Sequence, residues 1–513
     1  MTWESSAITI TTLLPIAGAL VIILVPKDRD RMVRGLGILF TGAALVLSIA
    51  IAIGFDYGRD GLQFVLDVDW IAAIGARFHV GIDGISMPLY VLTFLLSFLC
   101  AVYTWRFVPE PGRTKAFLAL MLLLETGMAG TFIAFDLILF FVFWEMVLVP
   151  MYFLIGIWGS ANREYAAIKF FLYTLFGSVF MLLGFLGLYF SGPDPHTFDL
   201  VKLTAFGAGG GFTHTFQLIV FGAIALGFAI KVPMWPFHTW LPDAHTEAPT
   251  IGSVLLAGIM LKMGTYGFIR IALPVLPEGA RAYAPWIGLL AAIAIVYAAL
   301  ACLAQKDLKR LIAFSSVGHM GFVMLGIATL TEIGIQAAIF GMVAHGVITG
   351  MLFFCVGSIY DRYHTREIAE IGGGMSQRMP KLAGVFAFVA IASLGLPGLA
   401  GFWGEVMALL SAFRPNEVLL GDQVGLFRVL MVAGGVGTIL TAGYFLWMLQ
   451  RVNMGTMPAR WGEHALGDIY SVEWLSWTPL LVLILALGLF PRLIFGISQE
   501  AVSGIMAVLG AGG

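Results

Sequence analysis

The stretch GFAIKVPMWPFHTWLPDAHTEAPTIG, residues 227–252, decides how this chain is read. An apolar helix arrives carrying Lys231, meets Pro233 and Pro236, continues with His238 and Trp240, and ends in Pro242, Asp243 and His245. Each proline removes a backbone donor and clashes with the preceding turn, so two of them three residues apart break or kink the helix. At membrane depth a broken helix is tolerated only where protein encloses it or where it lines a wet cavity. A lysine beside such a break marks an ion or proton pathway by default.

Composition supports the membrane reading. Of 513 residues, 60% are hydrophobic and 11% charged. Many apolar runs reach the ~20 residues that cross a bilayer, which excludes an ordinary soluble domain. The net charge of −2 gives no reason to expect a nucleic acid or an acidic partner. Cys100, Cys302 and Cys355 each sit in apolar sequence without metal-like spacing and read as small hydrophobes. The start, MTWESSAITI, has an acid where a signal peptide would be basic, so the first helix is expected to stay in the mature protein.

Hydropathy gives about fourteen spans, near 7–25, 33–54, 84–106, 114–134, 136–157, 164–190, 214–241, 249–273, 284–304, 308–330, 334–360, 381–413, 425–450 and 475–495. Loops after odd-numbered spans carry most of the basic residues, among them Lys27, Arg29, Arg31, Arg113, Lys306, Arg366 and Arg451. Loops after even-numbered spans carry few. By the positive-inside rule both termini face outward, to the periplasm of a bacterial inner membrane. Residues 55–83 alternate apolar and polar types, as a small strand or hairpin would. Residues 191–213, rich in Gly and Pro, read as irregular. The apolar segment 497–511 is expected on or partly in the membrane.

A second interruption falls in the twelfth span, SLGLPGLAGFWGE, residues 393–405. Gly395, Pro397, Gly398 and Gly401 do not hold a regular helix. The two breaks lie five spans apart, so the spans that carry them run in opposite directions. That is the pattern of two inverted five-helix repeats, spans 4–8 and 9–13, with functional sites at the breaks. The fold expected is an all-α polytopic membrane protein. Its parts are residues 1–110 (spans 1–3 and an outer loop), 111–275 (first repeat), 276–452 (second repeat) and 453–513 (span 14 and tail).

Inside these spans stand Glu125, Asp136, Glu145, Lys231, Lys262 and Glu405, with His238, His319 and His345. A charge at mid-bilayer costs roughly 2.5–3.5 kcal/mol on insertion scales, so these groups need partners or water. Salt-bridging between helices is the plain structural role for the acids and lysines, and a satisfied buried ring is that for the histidines. The chemical role is proton transfer. Glu145 beside Lys231 favours the charged lysine, and moving the acid away lets the proton go. Lys262 and the histidines pass protons along a wet row, and Glu405 exchanges them with solvent.

The segments FDLILFFVFWE, KVPMWPFHTWLPDAHTEAPT, GSVLLAGIMLKMGTYG, KRLIAFSSVGHMGF and LPGLAGFWGE together resemble the antiporter-like proton-channel subunits of respiratory complex I, from about residue 84 to 450. The resemblance places the family's key glutamate on Glu145, its two channel lysines on Lys231 and Lys262, and its relay histidines on His238, His319 and His345. The family's L and N paralogues carry lysine in the broken twelfth span; here Glu405 stands there, the pattern of a third paralogue. What the resemblance implies is proton translocation coupled to quinone reduction in other chains. FMN, iron–sulfur clusters and quinone would lie on those partners, and this chain would carry no cofactor and no metal. It would sit in the lipid bilayer beside the L and N paralogues. Related families suggest two alternatives, a subunit of a multisubunit cation/proton antiporter or of a membrane-bound hydrogenase. Haem ligation by His319 and His345 is a further alternative, set against their position among proton-carrying groups; a pure scaffold does not explain so many intramembrane charges.

Overall fold

A computed structural model describes residues 3–26, 28–462 and 466–511. Helices α1 (Trp3–Leu24) and α2 (Asp30–Gly54) lead into a hairpin of β1 (Gln63–Ile71) and β2 (Ala76–Ile82), then into α3 (Ser86–Tyr103). Next come α4 (Thr114–Ile133), α5 (Leu137–Met146), α6 (Leu148–Trp158), α7 (Arg163–Ser191), α8 (Leu200–Ala208), α9 (His214–Lys231), α10 (Trp240–Glu247) and α11 (Thr250–Val275). The remainder is α12 (Pro277–Leu303), α13 (Leu308–Ala328), α14 (Glu332–Tyr363), α15 (Pro380–Ser393), α16 (Ala400–Phe413), α17 (Val424–Val452), α18 (Ser471–Leu489) and α19 (Arg492–Ala511), with single helical turns between some of them.

Among the described residues, fourteen helices are long and apolar enough to cross a membrane. By length α19 is one of them, yet it runs along a face of the bundle. Its Ile497 carbonyl packs on Gly84, before α3. Ser503 reaches Glu332, the first residue of α14, at 3.3 Å, and Arg281, near the start of α12, donates to the Leu509 carbonyl at 2.7 Å. Three helix starts on one face fix α19 across that face, with Ser498, Val502, Ile505 and Leu509 turned inward. The hairpin and the start of α1 share it, and we call it the hairpin face. The interrupted pair α15–α16 supplies the remaining crossing.

The expected breaks are present. Residues 232–239 form turns between α9 and α10, and residues 394–399 separate α15 from α16, with Gly395 and Gly398 at φ +85° and +91°. Two features of the backbone were not anticipated. The fifth span is itself divided at Val147, three residues before Pro150, whose missing N–H and ring disrupt the preceding turn. The stretch 191–213, expected to be irregular, contains α8. Asp199 caps that helix by accepting from the Lys202 backbone N–H at 2.9 Å, a signal that the surrounding Gly and Pro obscured.

The hairpin pairs Leu66 with Val80, Val68 with Phe78 and Asp69 with Arg77. Its Arg77 backbone N–H donates to Asp136 Oδ2 at 3.0 Å, while Asp136 Oδ1 accepts from Ile138 and Leu139 and so caps α5. The sequence reading placed Asp136 within a span; it is the hinge between the hairpin and the helix that carries Glu145. Burial marks the axis of the molecule: 94% of the apolar window of α11 and of α14 is enclosed by protein, against 28% for α2. Lys262 and His345 stand on those two central helices.

Candidate functional site

α11 is not uniform: turns of π-helix at Leu256–Met260 and Phe268–Ala272 flank the segment that carries Lys262. Such turns are frequent at functional sites. Lys262 is wholly buried; its Nζ donates to the Ala257 carbonyl inside the first π turn and lies 2.6 Å from His345 Nδ1. With the ammonium as donor, His345 accepts on Nδ1, and its Nε2 is left buried without a partner. The His319 ring lies 5.7 Å from the His345 ring, centre to centre. His319 Nδ1 is 2.8 Å from Glu405 Oε1, and its Nε2 is 3.1 Å from Ser393 Oγ. A cavity of ≈ 30 Å³ lies among His319, His345, Thr349, Ser393 and Glu405. At ~15 Å³ for one water, that admits about two. Glycines let Glu405 come this close: a Cβ on Gly404 would stand 2.8 Å from Gly341 Cα, so α16 meets α14 backbone to backbone. Lys262, His345, His319 and Glu405, from four different helices, thus form one row.

Glu145 and Lys231 form a second group. Lys231 is the last residue of α9, its Nζ buried without a hydrogen-bond partner and 5.1 Å from the centre of the Trp144 ring. A cation at a helix C-terminus meets the negative end of the helix dipole, and the indole face adds a cation–π contact. Trp144 is fixed by donating to Ser178 Oγ at 2.9 Å. Glu145 is the penultimate residue of α5, beside the division of the fifth span; the charge of Lys231 and the Ser178 hydroxyl act on its carboxylate, and its Oε1 is buried and unpartnered.

His238, in the first break, belongs to neither group. Its ring packs edge-on to Tyr297 at 5.0 Å, Nδ1 buried and unpartnered, with Lys169 the charge that acts on it. His245, absent from the candidate residues, lies closer to the row. It is fully buried, stacked on Phe353 at 4.6 Å, with both ring nitrogens unpartnered; Lys262 and Lys309 act on it, and it acts on His345. Lys309 was missed too: buried, it donates to the Ala248 carbonyl that follows α10. His245 stands between Asp243 and Glu247, and Lys309 in the charged run from Lys306 to Arg310; both segments read as surface. The lack of any Lys or Arg between residues 232 and 261 was the available signal for His245.

Two buried ionisable pairs lie toward the hairpin face. Arg270 donates to Asp83 and, at 3.2 Å, to the Tyr266 hydroxyl, which donates to the Phe132 carbonyl at 2.8 Å. Burial by itself would raise the Asp83 carboxyl, but Arg270 and the Ser86 donors outweigh it and hold it below the usual range. His79 Nδ1 meets Asp199 Oδ2 at 2.7 Å.

Buried lysines, histidines and acids arranged along interrupted helices define a polytopic membrane protein that conducts ions or protons. Comparison with known proteins narrows the class. Residues 134–427 match the family described as NADH:quinone oxidoreductase/Mrp antiporter, TM. NADH-quinone oxidoreductase subunit M of Rickettsia prowazekii is 41% identical over 98% of this chain and 99% of its own. The protein of that description from Rhodobacter capsulatus is 42% identical over 95% and 94%. A chain of respiratory complex I from Thermus thermophilus superposes with a TM-score of 0.85 at 29% identity, covering 99% of this chain and all of that one. A chain of the Mrp complex from Dietzia, at TM-score 0.85 and 21% identity, shows the shared fold alone. The chain belongs to the NADH:quinone oxidoreductase/Mrp antiporter family, on its subunit M branch, and is a proton-translocating membrane subunit of NADH:quinone oxidoreductase.

Proposed function

We propose that protons cross this subunit by way of Glu145, Lys231, Lys262, His345, His319 and Glu405, with His238 and His245 beside the line. The observation that carries the reading is the row from Lys262 to Glu405, with contacts of 2.6 Å and 2.8 Å on either side of the histidine pair. Lys262 hands a proton to His345 Nδ1; His345 releases one from Nε2 toward His319; His319 delivers it to Glu405. Each histidine presents two nitrogens, so a proton taken on one side is matched by a proton given on the other. At the other group, Glu145 close to Lys231 favours the charged lysine, and separation favours release.

Around this site the chain divides into residues 1–110, 111–275, 276–452 and 453–513, the middle two as inverted repeats; the interruptions after Lys231 and before Glu405 support that division. The basic loops favour a bacterial inner membrane with the hairpin face and both termini periplasmic. The L and N paralogues are the neighbours within the membrane, and FMN, iron–sulfur clusters and quinone belong to partner chains. The test is NADH-driven proton translocation by the assembled complex carrying Glu145→Gln or Lys231→Ala. Loss of pumping in both is expected; full pumping in both refutes this pair.

A further inference from the structure

α3 has two faces of different chemistry. Leu92 and Leu96 press against Gly346 and Gly258, beside His345 and the π turn near Lys262. Tyr90, Thr93, Ser97 and Cys100, three or four residues apart, form a buried polar stripe elsewhere on the helix. Glu125, eleven residues into α4, lies close enough to that stripe for its charge to act on both Tyr90 and Cys100. Glu125 is wholly buried and neither carboxylate oxygen has a hydrogen-bond partner; Ser97 Oγ is also buried and unpartnered. A carboxyl that merely joined helices would be paired, since buried polar groups almost always are.

The polar line continues toward the hairpin face. The Tyr90 hydroxyl lies 2.9 Å from Thr12 Oγ1 and donates to the Ile8 carbonyl at 3.1 Å. Ser5, Thr9 and Thr12 share one face of α1, and Thr9 Oγ1 is buried without a partner. Ser5 and Glu4 line a cleft of ≈ 300 Å³ between the start of α1, the end of α2 and the hairpin. A mid-membrane acid, a row of hydroxyls and an open cleft thus follow one another from the centre of the bundle to one surface.

We propose that Glu125 is a proton-exchanging site apart from the Lys262–Glu405 row, connected to the hairpin face through Tyr90, Thr12, Thr9 and Ser5. On release the Glu125 O–H bond breaks and a proton ends on solvent in the cleft. Each hydroxyl between gives up one proton as it takes one, and no electron moves. α3 also walls the Lys262 site, so the charge state of Glu125 bears on that site through packing. The inference goes beyond the relay above and uses none of its residues.

Infrared difference spectra of the intact complex, NADH-reduced minus oxidised, recorded in H₂O and D₂O, test it. A carboxylic C=O band is expected in the unaltered complex and absent from Glu125→Gln. Its deuterium exchange slows by about tenfold or more, equivalent to about 1.4 kcal/mol on the barrier, in Tyr90→Phe and in Thr12→Val, with assembly on native gels intact. A difference spectrum that Glu125→Gln does not change, or exchange indifferent to both hydroxyl variants, overturns the proposal. If Glu125→Gln does not assemble, the exchange rates in the two hydroxyl variants decide. Glu145→Gln leaves this band in place, so the relay and this site fail separately.

Discussion

The breaks after Lys231 and before Glu405 hold opposite charges at opposite helix ends. Lys231 closes α9 at the carbonyl end, under the Trp144 ring, and its Nζ has no hydrogen-bond partner. Glu405 stands in the second turn of α16 and leans back toward the break, its Oε2 3.5 Å from where a Cβ on Gly395 would be. There the amide end of the half-helix favours an anion, as the carbonyl end of α9 favours a cation, each by ~0.3–1 kcal/mol. The difference lies in the partners. Glu405 is in contact with His319, whereas Lys231 feels Glu145 without a hydrogen bond to it. One break holds a closed contact and the other an open pair, so the open one is where a change of separation most readily changes charge.

The largest effect tests the closed end. Glu405→Gln keeps a hydrogen-bond partner for His319 but removes the acid, and NADH-driven pumping should fall by about 10²-fold, the low end of what a positioned acid or base contributes. Proton uptake by vesicles containing the assembled complex measures it. Next comes the open end. Lys231→Arg keeps the cation but cannot give up its proton, so pumping should fall as far as in Lys231→Ala while assembly is kept. An arginine variant that pumps normally would mean that Lys231 serves as a fixed charge. Ser393→Ala removes one contact to His319, and a loss of about 1 kcal/mol, or about fivefold in rate, is expected.

Smaller effects concern the frame of the hairpin face. Asp136→Ala removes the cap of the Glu145 helix and should lower stability by ~1 kcal/mol, read from thermal unfolding of the purified complex. Asp83 is held below its unfolded value by Arg270, so its contribution is complete above pH ~4 and is lost as the pH falls through the lowered value. Acid unfolding should therefore lose part of its steepness in Asp83→Asn.

Much of this was open to sequence reasoning because prolines and glycines act locally. Pro233, Pro236, Gly395 and Pro397 break helices wherever they lie in the fold, and the hairpin followed from alternation. The fifth-span division at Val147 was harder to see, since Pro150 alone does not say whether a helix bends or parts. Asp136 looked like an intramembrane charge because hydropathy does not register a cap. His245 lies between two acids and Lys309 in a basic run, so both looked exposed, and only packing shows that these two side chains are enclosed. The assembly of Lys262, His345, His319 and Glu405 into a row depends on contacts between distant helices, which spacing along the chain does not encode.

The central claim is that this row carries protons, and Lys262→Met tests it most directly. The measurement is the number of protons translocated per NADH oxidised by the reconstituted complex. A ratio that falls while the assembled complex still oxidises NADH is the outcome expected here; an unchanged ratio would contradict the account.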